Sequence, residues 1–138
     1  MAYQTLEFER RDAVGVLTLN RPGRLNALSL QMADELREFF GSLQRDSQTH
    51  VLIVRGAGRG FCAGLDLKEA PAAVEWSKDL GLVQQYYRFQ QTFGDIVLRM
   101  RQAPQPLIAA VRGPAVGGGF SLTMACDVRI AGESARFN

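Results

Sequence analysis

The sequence is short of cysteine, of charge of one sign and of long apolar runs, and each shortage excludes a class of protein. Two of its 138 residues are cysteines, Cys62 and Cys126, and their spacing suits neither a metal site nor a disulfide framework. The formal net charge is +2 and the 16 basic residues are scattered, so neither nucleic acid nor a membrane is indicated as a partner. No apolar run approaches the roughly 20 residues of a membrane span, and the first residues do not resemble a signal peptide. We therefore expect a cytoplasmic protein with reduced cysteines.

Apolar runs of strand length alternate with segments of helical periodicity. A hairpin is predicted from Thr5–Arg10 and Val14–Leu19, which a short turn separates. The continuous apolar run Val51–Val54 is typical of a strand covered on both faces, and Leu107–Val111 predicts another buried strand. A further strand is predicted at Val128–Ala131. Strands that alternate with helices indicate the α/β class.

Three main helices are predicted between these strands. Ser29 is a suitable N-cap for the first helix, and Asp34 and Glu35 are expected near its positive end. The second helix, Leu82–Met100, is expected to bury one apolar stripe. The stripe consists of Leu82 or Val83, Tyr86, Phe89, Phe93, Ile96 or Val97, and Met100. The third helix, Phe120–Ala125, follows three consecutive glycines.

Three acidic residues, Asp66, Glu69 and Asp127, are assigned structural roles. Asp66 and Glu69 have the spacing of a capping box, which predicts a short helix and favours capping over catalysis. Asp127 is interpreted as structural because it stands at a helix exit. A connecting segment is predicted over Pro71–Gly81, with Trp76 as its one large anchor.

The segment Arg112–Asp127, which reads RGPAVGGGFSLTMACD, places Gly117, Gly118 and Gly119 at the start of a helix. Peptide N–H groups without a neighbouring Cβ point outward there, and the positive helix end favours an anion or a developing oxyanion. The alternative is a tight strand-to-helix turn that binds nothing. A second glycine-rich loop, Gly56–Gly64, also follows a buried strand. Two such loops can direct N–H donors at a single point.

The glycine loops do not match the common nucleotide-binding motifs. Gly56, Gly58 and Gly60 are spaced G-x-G-x-G, which is not the dinucleotide fingerprint G-x-G-x-x-G. The Lys-Ser/Thr pair of a P-loop is also missing from both loops. A nucleotide-binding α/β protein is therefore the least favoured of the functions considered.

Three stretches together resemble the enoyl-CoA hydratase/isomerase family, the crotonase superfamily. They read NRPGRLNAL, GRGFCAGLDLKE and IAAVRGPAVGGGFSLTMACDVRIAGESARF, and they span most of the chain. The resemblance implies a crotonase-like spiral of repeated ββα units, with residues 1–138 as its N-terminal core, truncated before the C-terminal helical trimerisation region. It also implies trimers or hexamers of the full-length protein and an acyl-CoA thioester substrate. No separate cofactor is implied, since CoA is part of the substrate.

The family's functional positions fall on particular residues of this chain. By resemblance, the N–H groups of Leu65 and Gly118 form the oxyanion hole for the thioester carbonyl, and Gly117 is a candidate for binding the CoA substrate. Ala63 stands where a backbone carbonyl meets the adenine of CoA. Arg24 is a candidate for a CoA phosphate, with a solvated loop arginine as the equal alternative.

One position departs from the hydratase pattern. Ser121 stands where hydratases of the family carry a glutamate, and a hydroxyl is too weak an acid or base to replace it. Ser121 either bonds a substrate or water, or only fills space at a helix start. The second hydratase carboxylate would fall beyond Asn138. We therefore expect isomerase-like chemistry rather than efficient hydration. A remnant that binds acyl-CoA or a partner subunit without turnover is the alternative.

Overall fold

A computed structural model describes residues 3–69 and 79–138 and contains two sheets. Strands of the main sheet follow the order β1-β2-β3-β4-β6, with β1 antiparallel to β2 and every other pair parallel. A small second sheet pairs β5 with β7 in parallel. The strands are β1 Leu6–Arg11, β2 Val14–Leu19, β3 Val51–Gly56, β4 Leu107–Val111, β5 Pro114–Ala115, β6 Val128–Ala131 and β7 Arg136–Phe137.

Helices connect the parallel strands and confirm the α/β class. The α-helices of the described residues are α1 Leu30–Ser42, α2 Leu82–Gln102 and α3 Gly118–Ala125. Short 3-10 helices occupy Pro22–Arg24 and Leu43–Arg45. No described helix is long and apolar enough to cross a membrane.

The core lies between the main sheet and the helices, and α2 packs against both α1 and α3. Its largest side chains are fully buried, as expected for the strand and helix faces that carry them. They include Leu17, Leu36, Phe40, Leu52, Phe61, Ile96 and Met100. The Asp95 carboxylate ties α1 to α2, because it accepts from Arg37 Nε at 2.8 Å and from Arg99 Nε at 2.9 Å.

The predicted N-cap of α1 is confirmed, but the expected role of its acidic residues is wrong. Ser29 Oγ accepts from the backbone N–H of Met32 at 3.1 Å. Asp34 and Glu35 lie beyond the first turn, which contains no acidic residue. Glu35 instead accepts from the N–H of Thr5 at 2.9 Å, so its carboxylate holds the chain where it enters β1.

The apolar stripe predicted for α2 is exposed over the first turns and buried at Phe89, Ile96 and Met100. Ile96 and Met100 are in the core, whereas the side chains of Leu82, Val83 and Tyr86 are 65%, 79% and 56% exposed. Helical periodicity marks a face, but it does not show how far along that face a neighbouring element reaches. Among the described elements, none covers the first two turns of α2.

Two other predictions differ from the structure in detail. Strand β3 is not covered on both faces, because Leu52 and Val54 are buried while Ile53 is half-buried. Helix α3 begins at Gly118 rather than at Phe120, so two of the three glycines lie inside its first turn. Residues 71–78 of the predicted connection, including Trp76, lie outside the described residues.

Candidate functional site

Isolated β-bridges hold the predicted loops side by side. Leu28 and Leu65 form an isolated parallel bridge, and Cys62 forms another with Ala115 on β5. The N–H of Val116 continues this ladder to the carbonyl of Cys62 at 3.0 Å. Three segments therefore lie side by side at one end of the main sheet. They are the loop after β2, the loop after β3 and the segment before α3.

The peptide between Gly64 and Leu65 is fixed through its carbonyl group. Gly64 O accepts from the N–H of Leu28 at 2.7 Å. In a trans peptide the N–H points opposite to the C=O, so the Leu65 N–H is turned away from Leu28. A side chain is excluded at Gly64, whose φ is +92° and whose added Cβ would lie 2.9 Å from Val116 O.

Only one of the three consecutive glycines has a free donor. The N–H of Gly117 donates to Asn138 O at 2.7 Å, and the N–H of Gly119 donates to Val116 O at 2.9 Å. Gly118 N–H is the first of helix α3 and has no acceptor among the described residues. Gly117 itself has a φ of +54°, which favours glycine.

The segments that carry the Leu65 and Gly118 donors pack against each other. A Cβ built on Gly64 would be 3.7 Å from the Gly118 nitrogen, and one built on Gly118 would be 3.8 Å from Leu65 Cδ2. Within residues 3–69 and 79–138, the Leu65 N–H also finds no acceptor. Two backbone donors on adjoining segments, without acceptors among the described residues, meet one requirement of an oxyanion hole.

Both residues line one cavity of about 250 Å³. Its other described walls come from α2, α3 and the loop before α1, and they carry no ionisable side chain. The lining residues are Leu28, Leu65, Gln90, Phe93, Gly94, Ile96, Val97, Gly118, Ser121 and Leu122. Phe93 and Val97, which the helical pattern predicted as core, therefore also form part of this wall. The site suits an apolar acyl chain beside a carbonyl oxygen.

Ser121 lies on the exposed side of α3 and lines the same cavity. Its hydroxyl donates to Gly117 O at 3.3 Å, and its backbone N–H donates to the same oxygen at 3.0 Å. The single hydroxyl proton is therefore directed at the backbone rather than at the cavity. Sequence reasoning did not find this bond, although serine bonding to the carbonyl four residues earlier is a common helical pattern.

Ala63 keeps one backbone group available. Its N–H donates to Leu25 O at 3.0 Å, while no described residue donates to its carbonyl oxygen. The residue is half-buried at the edge of the second sheet. A carbonyl without a protein donor can accept from an amino group of a ligand.

Arg24 lies beside Asp66 instead of pointing only into solvent. Its Nη2 atom lies 2.7 Å from Asp66 Oδ1, and Arg21 Nη2 lies 3.0 Å from Asp66 Oδ2. The Asp66 side chain is 2% exposed, whereas that of Arg24 is 39% exposed. One nitrogen of the Arg24 guanidinium thus bonds a buried carboxylate, and the rest of the group is accessible to solvent.

The capping box predicted at Asp66 forms only in part. Asp66 Oδ1 accepts from the N–H of Lys68 at 3.2 Å, which agrees with a structural role. Glu69 does not return the bond, because its carboxylate lies 3.4 Å from Arg21 Nη2. Residues 67–69 form a turn, and the segment that would continue it into a helix lies outside the described residues.

The Asp66 carboxylate is held in its charged form. Burial alone would raise the pKa of Asp66, but hydrogen bonds from Arg24 and Arg21 outweigh it and hold the pKa below the usual value. A pKa that is lower in the folded state stabilises the protein above the unfolded pKa, which is about 3.9. This stabilisation is lost as the pH falls through the folded pKa.

Replacing Asp66 with asparagine is expected to lower the free energy of unfolding at pH 7 by about 2 kcal/mol. The effect is limited because Arg24 is more than one-third exposed and solvent screens its charge. Chemical denaturation of both proteins at several pH values measures the difference. We expect it to shrink as the pH falls below about 4, and a difference that stays constant from pH 7 to pH 3 would contradict the ion-pair assignment.

A larger cavity lies away from the paired donors. It measures about 850 Å³, is open to solvent, and lies along α1 and α2 beside Arg37, Arg88 and Asp95. Arg37 is already bonded to Asp95 and Asp34. The smaller cavity at Leu65 and Gly118 is therefore the better candidate for chemistry, because the described residues supply no acceptor for its donors.

The described residues offer neither a metal site nor a reactive thiol. No group of three or more His, Cys, Asp or Glu side chains within 3–69 and 79–138 is arranged to hold a metal ion. Both cysteines are buried, and burial raises the pKa of Cys62 to about 11 and that of Cys126 to about 12. At neutral pH these thiols are protonated and poor nucleophiles.

A sequence model of the enoyl-CoA hydratase/isomerase family matches residues 9–138. The chain belongs to this family. It is 40% identical over 126 residues to the 1,2-epoxyphenylacetyl-CoA isomerase of Escherichia coli, covering 90% of this chain and 46% of that protein. It is 38% identical over 129 residues to enoyl-CoA hydratase EchA19 of Mycobacterium tuberculosis, covering 94% of this chain and 47% of that protein.

Solved structures of the family share the fold. A crystal structure of an enoyl-CoA hydratase/isomerase from Marinobacter aquaeolei superposes with a TM-score of 0.89 at 35% identity. The match covers 97% of this chain and 51% of that one. The crotonase-like α/β fold predicted from the sequence is therefore confirmed, and the chain spans about half the length of the relatives it matches.

Proposed function

We propose that the protein acts on an acyl-CoA thioester and holds the thioester oxygen with the N–H groups of Leu65 and Gly118. The observation that carries this proposal is that both donors lack acceptors in the described chain and line one cavity. The family relationship supports a CoA thioester as the substrate class. The apolar walls from Leu28, Phe93 and Val97 suit an acyl chain.

The chemistry follows from where negative charge develops. When a base removes the proton next to a thioester carbonyl, the electron pair moves onto the carbonyl oxygen and forms an enolate. Two fixed N–H donors stabilise that oxygen more than they stabilise the neutral carbonyl, and this difference lowers the barrier. Returning the proton at a different carbon shifts the double bond and completes an isomerisation. No described residue that lines the cavity is a base, so the base is supplied from outside this set of residues.

We further propose that isomerisation is preferred over hydration. Adding water to an enoyl thioester requires groups that deprotonate the water, and the hydroxyl of Ser121 cannot do so near neutral pH. That hydroxyl also directs its proton at Gly117 O. A single proton carrier suffices for isomerisation, since the same group can remove and return the proton.

The relative rates of the two reactions test this preference. We expect the intact protein to convert 3-hexenoyl-CoA to 2-hexenoyl-CoA faster than it hydrates crotonyl-CoA, measured by absorbance of the conjugated thioester. An effective hydratase in the same preparation conditions provides the control for substrate quality. Hydration of crotonyl-CoA at a rate comparable to that control would overturn the preference for isomerisation.

Contacts to the CoA moiety are proposed for two positions. The free carbonyl of Ala63 is available to accept from an adenine amino group, and the exposed end of Arg24 is available to a phosphate. Gly117 cannot donate to CoA, since its N–H already bonds Asn138 O, and its proposed contribution is the backbone conformation of the loop. We also propose that the full-length protein forms a trimer or hexamer, which would cover exposed apolar side chains such as Ile130.

A protein that binds acyl-CoA without turnover is the second candidate. The observation that favours it is the lack of any ionisable side chain in the described cavity wall. Saturable binding of CoA thioesters, with no reaction of 2-enoyl or 3-enoyl substrates, is what this candidate predicts. Any turnover that disappears when Gly118 loses its N–H would exclude it.

A further inference from the structure

We infer that Ser121 is a positioning residue that holds the peptide bearing the Gly118 N–H donor. The inference rests on the proposed function, because it assigns a role within the same oxyanion hole. Its basis is the bond from Ser121 Oγ to Gly117 O, which is the oxygen of the peptide that carries the Gly118 nitrogen. The serine therefore bonds the carbonyl side of the same peptide group whose N–H side is the donor.

The direction of the donor follows from amide geometry. In a trans peptide the C=O and the N–H point in opposite directions, so fixing Gly117 O fixes the Gly118 N–H. Ser121 contacts this oxygen twice, through its backbone N–H at 3.0 Å and through its hydroxyl at 3.3 Å. With the oxygen directed into α3, the N–H is directed away from the helix.

This peptide has more need of an anchor than an ordinary one. It joins two glycines, which restrict backbone rotation least, and a rotation of its plane would turn the N–H out of the cavity. The corresponding peptide at Leu65 is anchored by a bond from Leu28 N–H to Gly64 O at 2.7 Å. The peptide at Gly118 is held by two bonds to Gly117 O, one from the Ser121 N–H and one from the Ser121 hydroxyl. Of the two donors, only that of Gly118 is therefore held partly by a side chain, which a substitution can remove.

The hydroxyl also makes the donor stronger. A hydrogen bond to an amide oxygen polarises the whole amide and makes its N–H a better donor, an effect of roughly 10–30% per bond in condensed phase. Ser121 would therefore favour the enolate without touching the substrate. This role explains why a serine, which is no acid or base at neutral pH, stands beside the oxyanion hole.

The variants Ser121→Ala and Ser121→Thr test the inference. Alanine removes the hydroxyl, whereas threonine keeps an oxygen that can bond the carbonyl four residues earlier. For Ser121→Ala we expect kcat to fall about 3- to 10-fold, the size of one neutral hydrogen bond, with KM almost unchanged. Ser121→Thr should recover most of the loss.

Binding of 2,4-hexadienoyl-CoA to the intact protein supplies a readout that a merely structural role would not change. Donors at the thioester oxygen polarise the conjugated chain and shift its absorbance to longer wavelength. We expect a smaller shift in Ser121→Ala than in the wild type, and a wild-type shift in Ser121→Thr, at similar dissociation constants.

The outcomes separate this inference from the proposed function. An unchanged shift and kcat in Ser121→Ala would overturn the positioning role and leave the oxyanion hole in place. Weaker binding at an unchanged shift would also overturn it, since the hydroxyl would then contact the substrate directly. Absence of any shift in the wild-type protein would count against the oxyanion hole itself.

Discussion

Replacing Gly118 with proline is expected to lower kcat on an acyl-CoA substrate by about 100- to 1,000-fold, the effect of removing one oxyanion donor. Proline has no N–H and places ring carbon where the donor stood. The fold should tolerate it, because Gly118 is the first residue of α3, where proline is favoured. No described hydrogen bond of the protein is lost, since this N–H has no acceptor. Steady-state kinetics on the intact protein measures the effect.

Gly118→Ala is the matched control. Alanine keeps the N–H and adds a Cβ that would lie 2.9 Å from Leu28 Cδ1, the end of a flexible side chain. It therefore reproduces the crowding near Leu28 but not the loss of the donor. We expect Gly118→Ala to retain far more activity than Gly118→Pro, with similar melting temperatures for both. Equal losses in the two variants would show that crowding, rather than the donor, explains the effect.

Replacing Gly119 with alanine is expected to destabilise the folded protein by about 3 kcal/mol or more, because it overpacks a buried backbone contact. A Cβ on this buried glycine would overlap the carbonyl oxygen of Cys62 and lie 2.8 Å from both the carbonyl carbon and Cβ of that residue. Backbone atoms of Cys62 cannot move aside easily, since its carbonyl accepts from Val116 N–H at 3.0 Å. Denaturant unfolding of the intact protein gives the change in free energy.

Gly94→Ala provides the opposite case within the same fold. Gly94 lies inside α2 with no heavy atom within 4 Å of an added Cβ, so alanine should fit. Alanine is a better helix former than glycine, and we expect a gain of about 0.5–1 kcal/mol. Similar effects of Gly94→Ala and Gly119→Ala would contradict the close approach of α3 to Cys62.

The parts of the fold that could be predicted are those that local pattern determines. The hairpin, the strands at Leu107–Val111 and Val128–Ala131, and the Ser29 cap are confirmed because each depends on residues close in sequence. The exposure of Tyr86 and the placement of Glu35 against Thr5 depend on distant segments. A single sequence does not show which distant segments meet, so these predictions were wrong or missing.

The candidate site likewise has parts that the sequence could predict and parts that it could not. The glycine-rich loops indicated where donors could lie, and the family resemblance singled out Leu65 and Gly118. Their roles remain predictions that kinetics must test. Two contacts that matter for the account could not be predicted from spacing. The pairing of Arg24 with Asp66 joins loops 42 residues apart, and the Leu28 bond that orients the Leu65 donor likewise joins separate loops.

The carbonyl stretching frequency of a bound substrate reports directly on hydrogen bonds from Leu65 and Gly118 to the thioester oxygen. A saturated acyl-CoA with ¹³C at the thioester carbonyl can be bound to the intact protein and examined by isotope-edited infrared spectroscopy. The proposed oxyanion hole predicts a lower C=O frequency on binding, because two N–H donors weaken the double bond. It also predicts a return toward the free value in Gly118→Pro but not in Gly118→Ala. A carbonyl frequency that stays at its free value in the bound wild-type protein would contradict the proposed oxyanion hole.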